Sequence, residues 1–358
     1  MTLKETVTID LKSESACLME PETGRILYEK NPTQHLEPAS VTKIMSVLLI
    51  YEALSDGRIK KDDIVTASET ASTMGGSQIW LEAGEQMTVD EMLKAILVVS
   101  ANDCTVAMAE HLAGSEQAFV AIMNDKAKKL GMNDTNFVNS TGLPAQDHYT
   151  CAKDIAIMTC ELMKYEDVFN YTMIWMDSLR NGEFGLSNTN KLIRFYPGAN
   201  GMKTGFTDSA GYCMSATATR EGVNLVAAVM KAQSSDDRFS DAKKLLDYGF
   251  ANFSVYRICT EDLPPIKVKG AKVKTVGLSC DSGAVLIPKG RQNLVETHTE
   301  LPEFITAPIA QGQTVGRVRY ILSGEEIAVI DIVAKNGVAR ISFLDIFKKI
   351  LATAAMIR

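Results

Sequence analysis

The stretch Ser40-Val-Thr-Lys-Ile-Met-Ser-Val-Leu-Leu-Ile-Tyr-Glu-Ala-Leu54 decides the fold of this chain. It follows Pro38, runs almost unbroken through apolar residues and closes in Ser55-Asp-Gly57, the pattern of a buried helix ended by a turn. Ser40 and Lys43 stand one helical turn apart at its head, so a single face carries a hydroxyl and an amine within mutual reach. Serine alone is a weak nucleophile. A lysine serves as its base when burial and a neighbouring cation lower the amine pKa and leave part of it neutral. A serine at a helix N-terminus also places free N–H groups and the positive dipole end beside an oxyanion formed on attack. Taken alone, Ser-x-x-Lys describes no more than an N-cap serine followed by an exposed lysine.

Two further triplets give it a context. Ser100-Ala101-Asn102 lies 60 residues beyond Ser40, between the amphipathic run Thr88 to Val99 and a second helical pattern, Asp103 to Leu112. A tight turn between helices projects a hydroxyl and an amide into a cleft, although Ser and Asn also favour helix ends for local capping. Lys203-Thr204-Gly205 follows after another 103 residues and precedes two strand patterns, Gly211 to Thr219 and Asn224 to Met230, joined by Arg220-Glu-Gly222. A strand edge with these residues offers a cation, a hydroxyl and an uncluttered backbone to an extended peptide end. The segment Gly198-Ala-Asn-Gly-Met-Lys-Thr204 is not a phosphate loop, because Met202 stands where that loop needs a glycine before its lysine.

In these three motifs the chain resembles the low-molecular-mass penicillin-binding proteins, the serine-type D-alanyl-D-alanine carboxypeptidase family. The resemblance extends to Ala16-Cys-Leu-Met-Glu-Pro-Glu-Thr-Gly-Arg-Ile-Leu-Tyr-Glu-Lys-Asn31, to Thr135-Asn-Phe-Val-Asn-Ser-Thr-Gly-Leu-Pro144 and to Asp208-Ser-Ala-Gly-Tyr-Cys213, and is close over residues 12 to 258. It implies that Ser40 is acylated, Lys43 is the base, Ser100 relays a proton to the leaving D-alanine with help from Lys203, and Asn102 holds the substrate amide. It further implies oxyanion-hole N–H groups from Ser40 and Phe206, a substrate-binding edge at Gly205, and Thr204 with Arg238 near the substrate carboxylate. The alternative for Arg238 is a surface arginine paired with Asp236 or Asp237. The chain departs from the family pattern twice: Phe206 stands where some relatives have His, and Ala101 replaces a common glycine, which a negative φ would tolerate.

Composition agrees. At 358 residues the chain exceeds what one core usually supports, and 46% hydrophobic with 23% charged residues is ordinary globular composition. A net charge of −7 without basic runs argues against nucleic acid as a partner. The seven cysteines form no Cys-x-x-Cys pair, so neither a disulfide framework nor a zinc site is expected, and Cys104, Cys151, Cys160 and Cys213 read as buried small hydrophobes. The four histidines lack metal-ligand spacing and there is no Gly-x-Ser-x-Gly elbow, so a Ser-His-Asp triad has little support; no metal or organic cofactor is expected.

The expected fold is α+β: a penicillin-binding-protein/β-lactamase-like transpeptidase domain over residues 1–258, then a small all-β domain over 263–341 after Leu263-Pro-Pro265. Its hairpin is expected over Arg317 to Val333, turning at Ser323-Gly-Glu-Glu326. Residues 342–358 read as an amphipathic helix with Phe343, Phe347, Ile350, Ala354 and Ile357 on one face and Lys348, Lys349 and Arg358 at its margin, suited to a membrane interface or to packing on the β domain. No apolar stretch is long enough to span a bilayer, and Met1-Thr-Leu-Lys-Glu-Thr-Val has no signal-peptide core. The expectation is an extracytoplasmic, envelope-associated enzyme whose chain begins after signal cleavage. It would remove the terminal D-alanine from peptidoglycan stem peptides, with β-lactams as covalent inhibitors. The alternatives are a class A-like β-lactamase, with Glu161, Glu166 and Glu183 as the acids available for deacylation, and an inert peptidoglycan-binding scaffold.

Overall fold

A computed structural model describes residues 8–259 and 263–355. The described chain divides into two compact units, one ending at Asn252 and the other beginning at Phe253.

The first unit is built on a five-stranded antiparallel sheet of β1 (Ser15–Glu20), β2 (Arg25–Lys30), β3 (Ala199–Thr207), β4 (Gly211–Arg220) and β5 (Val223–Ala232), in the order β2-β1-β5-β4-β3. Every residue of β1 is buried, which an amphipathic strand does not do. Both faces are covered. Cys17 and Met19 point into the helical core, while Leu18 lies on the opposite face, where with Leu225 it crowds Gly249 of a helix over Ser235–Asn252. The helical core consists of α1 (Lys43–Ser55), α2 (Val89–Val98), α3 (Asn102–Ala113), α4 (Glu116–Lys129) and α5 (Ala152–Leu162).

Helix α1 is central to that core. Residues 43 to 51 are all buried, as expected of a helix apolar on every side. It begins three residues later than the sequence pattern implies: Ala39–Thr42 form a 3₁₀ turn, opened by Ala39 at φ +48° and closed by a hydrogen bond from Val41 N to Pro38 O at 3.2 Å. This tighter turn has a consequence for chemistry, because side chains three apart eclipse in a 3₁₀ helix and Lys43 therefore lies directly over Ser40. Helix α2 starts at a capping box in which Thr88 Oγ1 accepts from Glu91 N and Glu91 Oε2 accepts from Thr88 N. Its end and the start of α3 bracket Ser100 in a short connection, and β3 is the edge strand that carries Lys203, Thr204 and Gly205 within its span.

The C-terminal unit is β-rich. The strand Phe253–Ile258, which the sequence reading attached to the first domain, pairs with Gly283–Pro288 and so belongs here. The expected hairpin forms between Thr314–Leu322 and Glu325–Ala334, with the two-residue turn Ser323-Gly324. Cys259 and Cys280 are joined by a disulfide, with Cα atoms 6.0 Å apart, a single pairing where the sequence leads us to expect no disulfide framework. Spacing along the chain did not suggest it, since strand pairing brings the two together across 21 residues. Cys17, Cys104, Cys151 and Cys213 are buried free thiols and Cys160 is half-buried. The chain's last described element is a helix over Phe343–Ala355, capped by Ser342 Oγ, which accepts from Asp345 N at 3.2 Å. Phe343, Phe347 and Ile350 are 80%, 50% and 60% exposed. Ile357 and Arg358 lie outside the described residues, as do the side chains of Lys349 and Ala354. No helix among the described residues is long and apolar enough to cross a membrane.

The 3₁₀ turn at Ser40 rests on Gly142, whose φ is +85° and whose Cα is so close to the turn that an added Cβ would stand 1.8 Å from Ala39 O. Gly142→Ala should therefore destabilise the first unit by about 2–4 kcal/mol through left-handed strain and overpacking. Thermal unfolding followed by circular dichroism should show a fall of several degrees; a midpoint within about 1 °C of the parent would contradict the contact.

Candidate active site

Two of the sequence-predicted residues, Ser40 and Asn102, meet at the Lys43 amine. Its side chain is fully buried, yet Nζ has three oxygen neighbours: Ser40 Oγ at 3.0 Å, Asn102 Oδ1 at 2.6 Å and Thr141 O at 2.7 Å. The Asn102 amide is oriented by its own second contact, Nδ2 donating to Gly75 O at 2.7 Å, so Oδ1 is the atom that faces the lysine. Burial, and after it the positive charge of Lys203, hold the Lys43 pKa well below its ordinary value, with Asp103 opposing them. A neutral amine has two N–H bonds and one lone pair. Asn102 Oδ1 and Thr141 O are acceptors only, so they take the two N–H bonds and leave the lone pair to Ser40 Oγ.

Lys203 is likewise buried and donates to Thr204 O at 2.8 Å. Burial first, then the charge of Arg238, bring its pKa down to about 7. Gly205 lies where β3 passes the Ser40 turn: a Cβ there would stand 3.0 Å from Ser40 N and 2.8 Å from Pro38 O, so only glycine admits this approach. The amide of Phe206 follows directly in the strand, and its ring is 49% exposed and stacks on Tyr212 at 4.4 Å. Thr204 Oγ1 donates to Thr189 Oγ1 at 2.7 Å.

Ser100 is held at φ +68°, buried, and its Oγ has no hydrogen-bond partner among the described residues. A left-handed serine costs roughly 1–2 kcal/mol and an unpaired buried hydroxyl roughly 1–3 kcal/mol. Ala101, the departure from the family pattern, has φ −56° and needs no glycine. Arg238 is not a surface arginine. It is buried, donating to Gly205 O at 3.1 Å, to Cys213 O at 3.3 Å and to Ser235 Oγ at 3.3 Å, with its guanidinium over the rings of Tyr212 and Phe239.

Three contributors were not singled out in the sequence. Thr141 supplies a backbone carbonyl to Lys43; its segment resembled the family, but carbonyl geometry has no residue signature. His148, set aside for lack of metal-ligand spacing, is buried behind the site, accepting from Val138 N at Nδ1 and meeting Thr42 Oγ1 at Nε2, 2.9 Å away. Burial lowers its pKa to about 4, so it stays neutral and structural. The strap Gly75–Leu81 walls the second motif, with Ser77 O accepting from Asn102 N at 2.7 Å and Asp103 Oδ2 accepting from Ile79 N and Leu81 N.

Comparison with known proteins assigns both units. Residues 2–234 match the D-alanyl-D-alanine carboxypeptidase family, and residues 261–340 match the C-terminal domain of penicillin-binding protein 5. The chain is 42% identical over 353 residues to the D-alanyl-D-alanine carboxypeptidase DacF of Bacillus subtilis, covering 97% of this chain and 91% of that one. Among solved structures it is similar to penicillin-binding protein 5 of Haemophilus influenzae, with a TM-score of 0.81, 31% identity and coverage of 94% of this chain and 100% of that one. It is also similar to the ampicillin-bound penicillin-binding protein D2 of Listeria monocytogenes, with a TM-score of 0.62, 30% identity, and 68% and 100% coverage.

The electrostatic arrangement is testable without reference to turnover. Removing the Lys203 cation removes a like charge from beside Lys43, so the charged form of Lys43 becomes less costly and its pKa rises. An NMR titration of ¹³C-labelled lysine should show the Lys43 resonance titrating at higher pH in Lys203→Ala than in the parent. An unchanged midpoint would mean that the two amines do not interact.

Proposed function

The chain belongs to the D-alanyl-D-alanine carboxypeptidase family, and on that premise we propose that Ser40 is the residue acylated when the enzyme acts. The protein is a serine-type D-Ala-D-Ala carboxypeptidase, a β-lactam-inhibited hydrolase of peptidoglycan stem peptides. The observation that carries the proposed roles is the coordination of the Lys43 amine, whose two N–H bonds are spent on Asn102 Oδ1 and Thr141 O while the lone pair faces Ser40 Oγ.

In the proposed sequence Lys43 takes the Ser40 proton as Oγ attacks the carbonyl carbon of the penultimate D-alanine. The resulting oxyanion is stabilised by the N–H groups of Ser40 and Phe206. Ser100 relays a proton to the amine of the departing D-alanine, the C–N bond breaks, and water later hydrolyses the ester on Ser40. Asn102 holds the substrate amide as well as the lysine. Thr204 and Lys203 receive the terminal carboxylate along the edge of β3. Arg238 serves that carboxylate through the strand, by bracing Gly205 O and adding positive charge behind Lys203. A β-lactam enters the same acylation with its ring amide in place of the peptide bond. The β-lactamase alternative is disfavoured: Glu161 is engaged by Lys126 and Lys164, and Glu166 and Glu183 are exposed. The inert scaffold is disfavoured by the buried, pKa-depressed Lys43 and the strained Ser100.

Action at the cell envelope follows from the substrate, and the Cys259–Cys280 disulfide is at home in an oxidising, extracytoplasmic setting. The helix Phe343–Ala355 is proposed to lie in the membrane interface. Phe343, Leu344, Phe347, Ile350 and Leu351 all expose half or more of their surface, more apolar area than a helix packed on its own domain would leave in water.

Ser40→Ala should lose penicillin labelling and lower D-alanine release by at least about a thousandfold, with an unchanged melting curve, because only one hydroxyl is removed. Mass spectrometry of penicillin-treated protein checks the position, and an adduct on any other residue refutes it. For the terminal helix, Phe347→Asp should release the protein from anionic liposomes in a sedimentation assay while leaving thermal stability and turnover of a soluble peptide unchanged. A parent protein that never sediments with liposomes, or a variant with a lowered melting temperature, would refute the interfacial helix.

A further inference from the structure

Trp80 is held in an arrangement that packing alone does not explain. Its side chain is 64% exposed, yet its backbone adopts φ +56°, a conformation that bulky aromatic residues rarely enter. The flanking amides of Ile79 and Leu81 both donate to Asp103 Oδ2, at 3.0 and 3.1 Å. Arg180 donates to Ile79 O at 2.8 Å and to Trp80 O at 3.3 Å. With the Gln78 amide donating to Met74 O, its oxygen accepts from Trp80 Nε1 at 3.2 Å. Phe184 meets the indole edge-to-face at 5.7 Å between ring centroids. Strain is thus maintained, and several hydrogen bonds committed, to keep a large apolar ring rigid in water.

The ring belongs to the same strap that walls the second motif. Ser77, three residues earlier, accepts from Asn102 N, and Gly75 accepts from Asn102 Nδ2. Trp80 is therefore tied through its own strap to Asn102 and Asp103, the residues at the head of α3 beside Lys43. Arg180, which holds the strap, is itself spent on Glu85, with Nε and Nη2 at 2.8 and 3.0 Å. A rigid aromatic surface whose neighbouring guanidinium is already paired suits an uncharged ring rich in C–H bonds better than the charged side chains of a stem peptide.

We propose that Trp80, backed by Phe184, is the stacking platform for a pyranose ring of the glycan chain that carries the stem peptide. This rests on the carboxypeptidase reading of the neighbouring site. The platform binds substrate and transition state alike, so it lowers KM for glycan-linked substrate and leaves kcat alone.

Trp80→Ala should raise KM about tenfold for a pentapeptide carrying the peptidoglycan amino-sugar disaccharide, with kcat unchanged, and should alter the free pentapeptide by less than about twofold. Trp80→Phe, which keeps a ring, should retain most of the affinity. An equal rise for both substrates, or a rise for neither, overturns the proposal. The second measurement does not depend on turnover. The chain has two tryptophans, so in a Trp175→Phe, Ser40→Ala protein the emission reports Trp80 alone. Peptide-free glycan oligomers should shift that emission to shorter wavelength, and no shift at saturating oligomer overturns the platform. Failure of the parent enzyme to release D-alanine from either peptide would instead count against the carboxypeptidase reading, with the emission experiment still deciding the role of Trp80.

Discussion

A lysine amine buried against a serine hydroxyl is the constraint on which the rest of this structure depends. Taking a charged ammonium out of water costs several kcal/mol, so the amine at Lys43 is driven toward its neutral form, and the neutral form needs acceptors for both of its hydrogens. Asn102 Oδ1 and Thr141 O meet that need from two separate parts of the chain. The surrounding apolar helix makes this tolerable. Each fully buried leucine or isoleucine of α1 contributes roughly 1.5–3 kcal/mol of transfer free energy, so two or three of them offset the desolvation of the amine.

The same region also carries backbone strain. Ala39, Ser100 and Trp80 have positive φ, and all three lie immediately beside a residue that holds or walls the site. Ala39 turns the chain so that Ser40 enters a 3₁₀ turn and is eclipsed by Lys43. Ser100 turns it between α2 and α3. Such conformations persist only where neighbours over-determine them, which the contact of Gly142 with Ala39 O and the bonds from Asp103 to the strap accomplish.

Lys203 and Arg238 form a second layer. Among the described residues neither is paired with a carboxylate; burial first, and then the charge of Arg238, bring the Lys203 pKa down to about 7, and Lys203 adds to the effect of burial in depressing Lys43. A graded series of buried cations thus sets the protonation state at the serine. It also leaves positive potential along the edge of β3, where an anionic peptide terminus is expected.

Much of this was legible in the chain itself. The apolar run from Ser40 to Leu54, the three motifs in order and the period-2 patterning after Leu263 were enough to infer a buried helix, a serine–lysine pair and a separate β domain, because helical and strand periodicities are local properties. Other features depended on contacts between distant segments. The 3₁₀ start of α1 depends on Gly142, about a hundred residues away, and the strand Phe253–Ile258 takes its allegiance from Gly283–Pro288. The surface alternative for Arg238 gives way to a buried side chain bonded to Gly205 O, and Cys259 finds Cys280 only through sheet pairing. Thr141 contributes through its carbonyl, an atom every residue has, so no residue type marks it in a sequence. Chemistry borne by side chains at fixed spacing was written in the sequence; chemistry borne by backbone atoms, and the pKa shifts that follow from burial, were decided only when distant segments closed around Lys43.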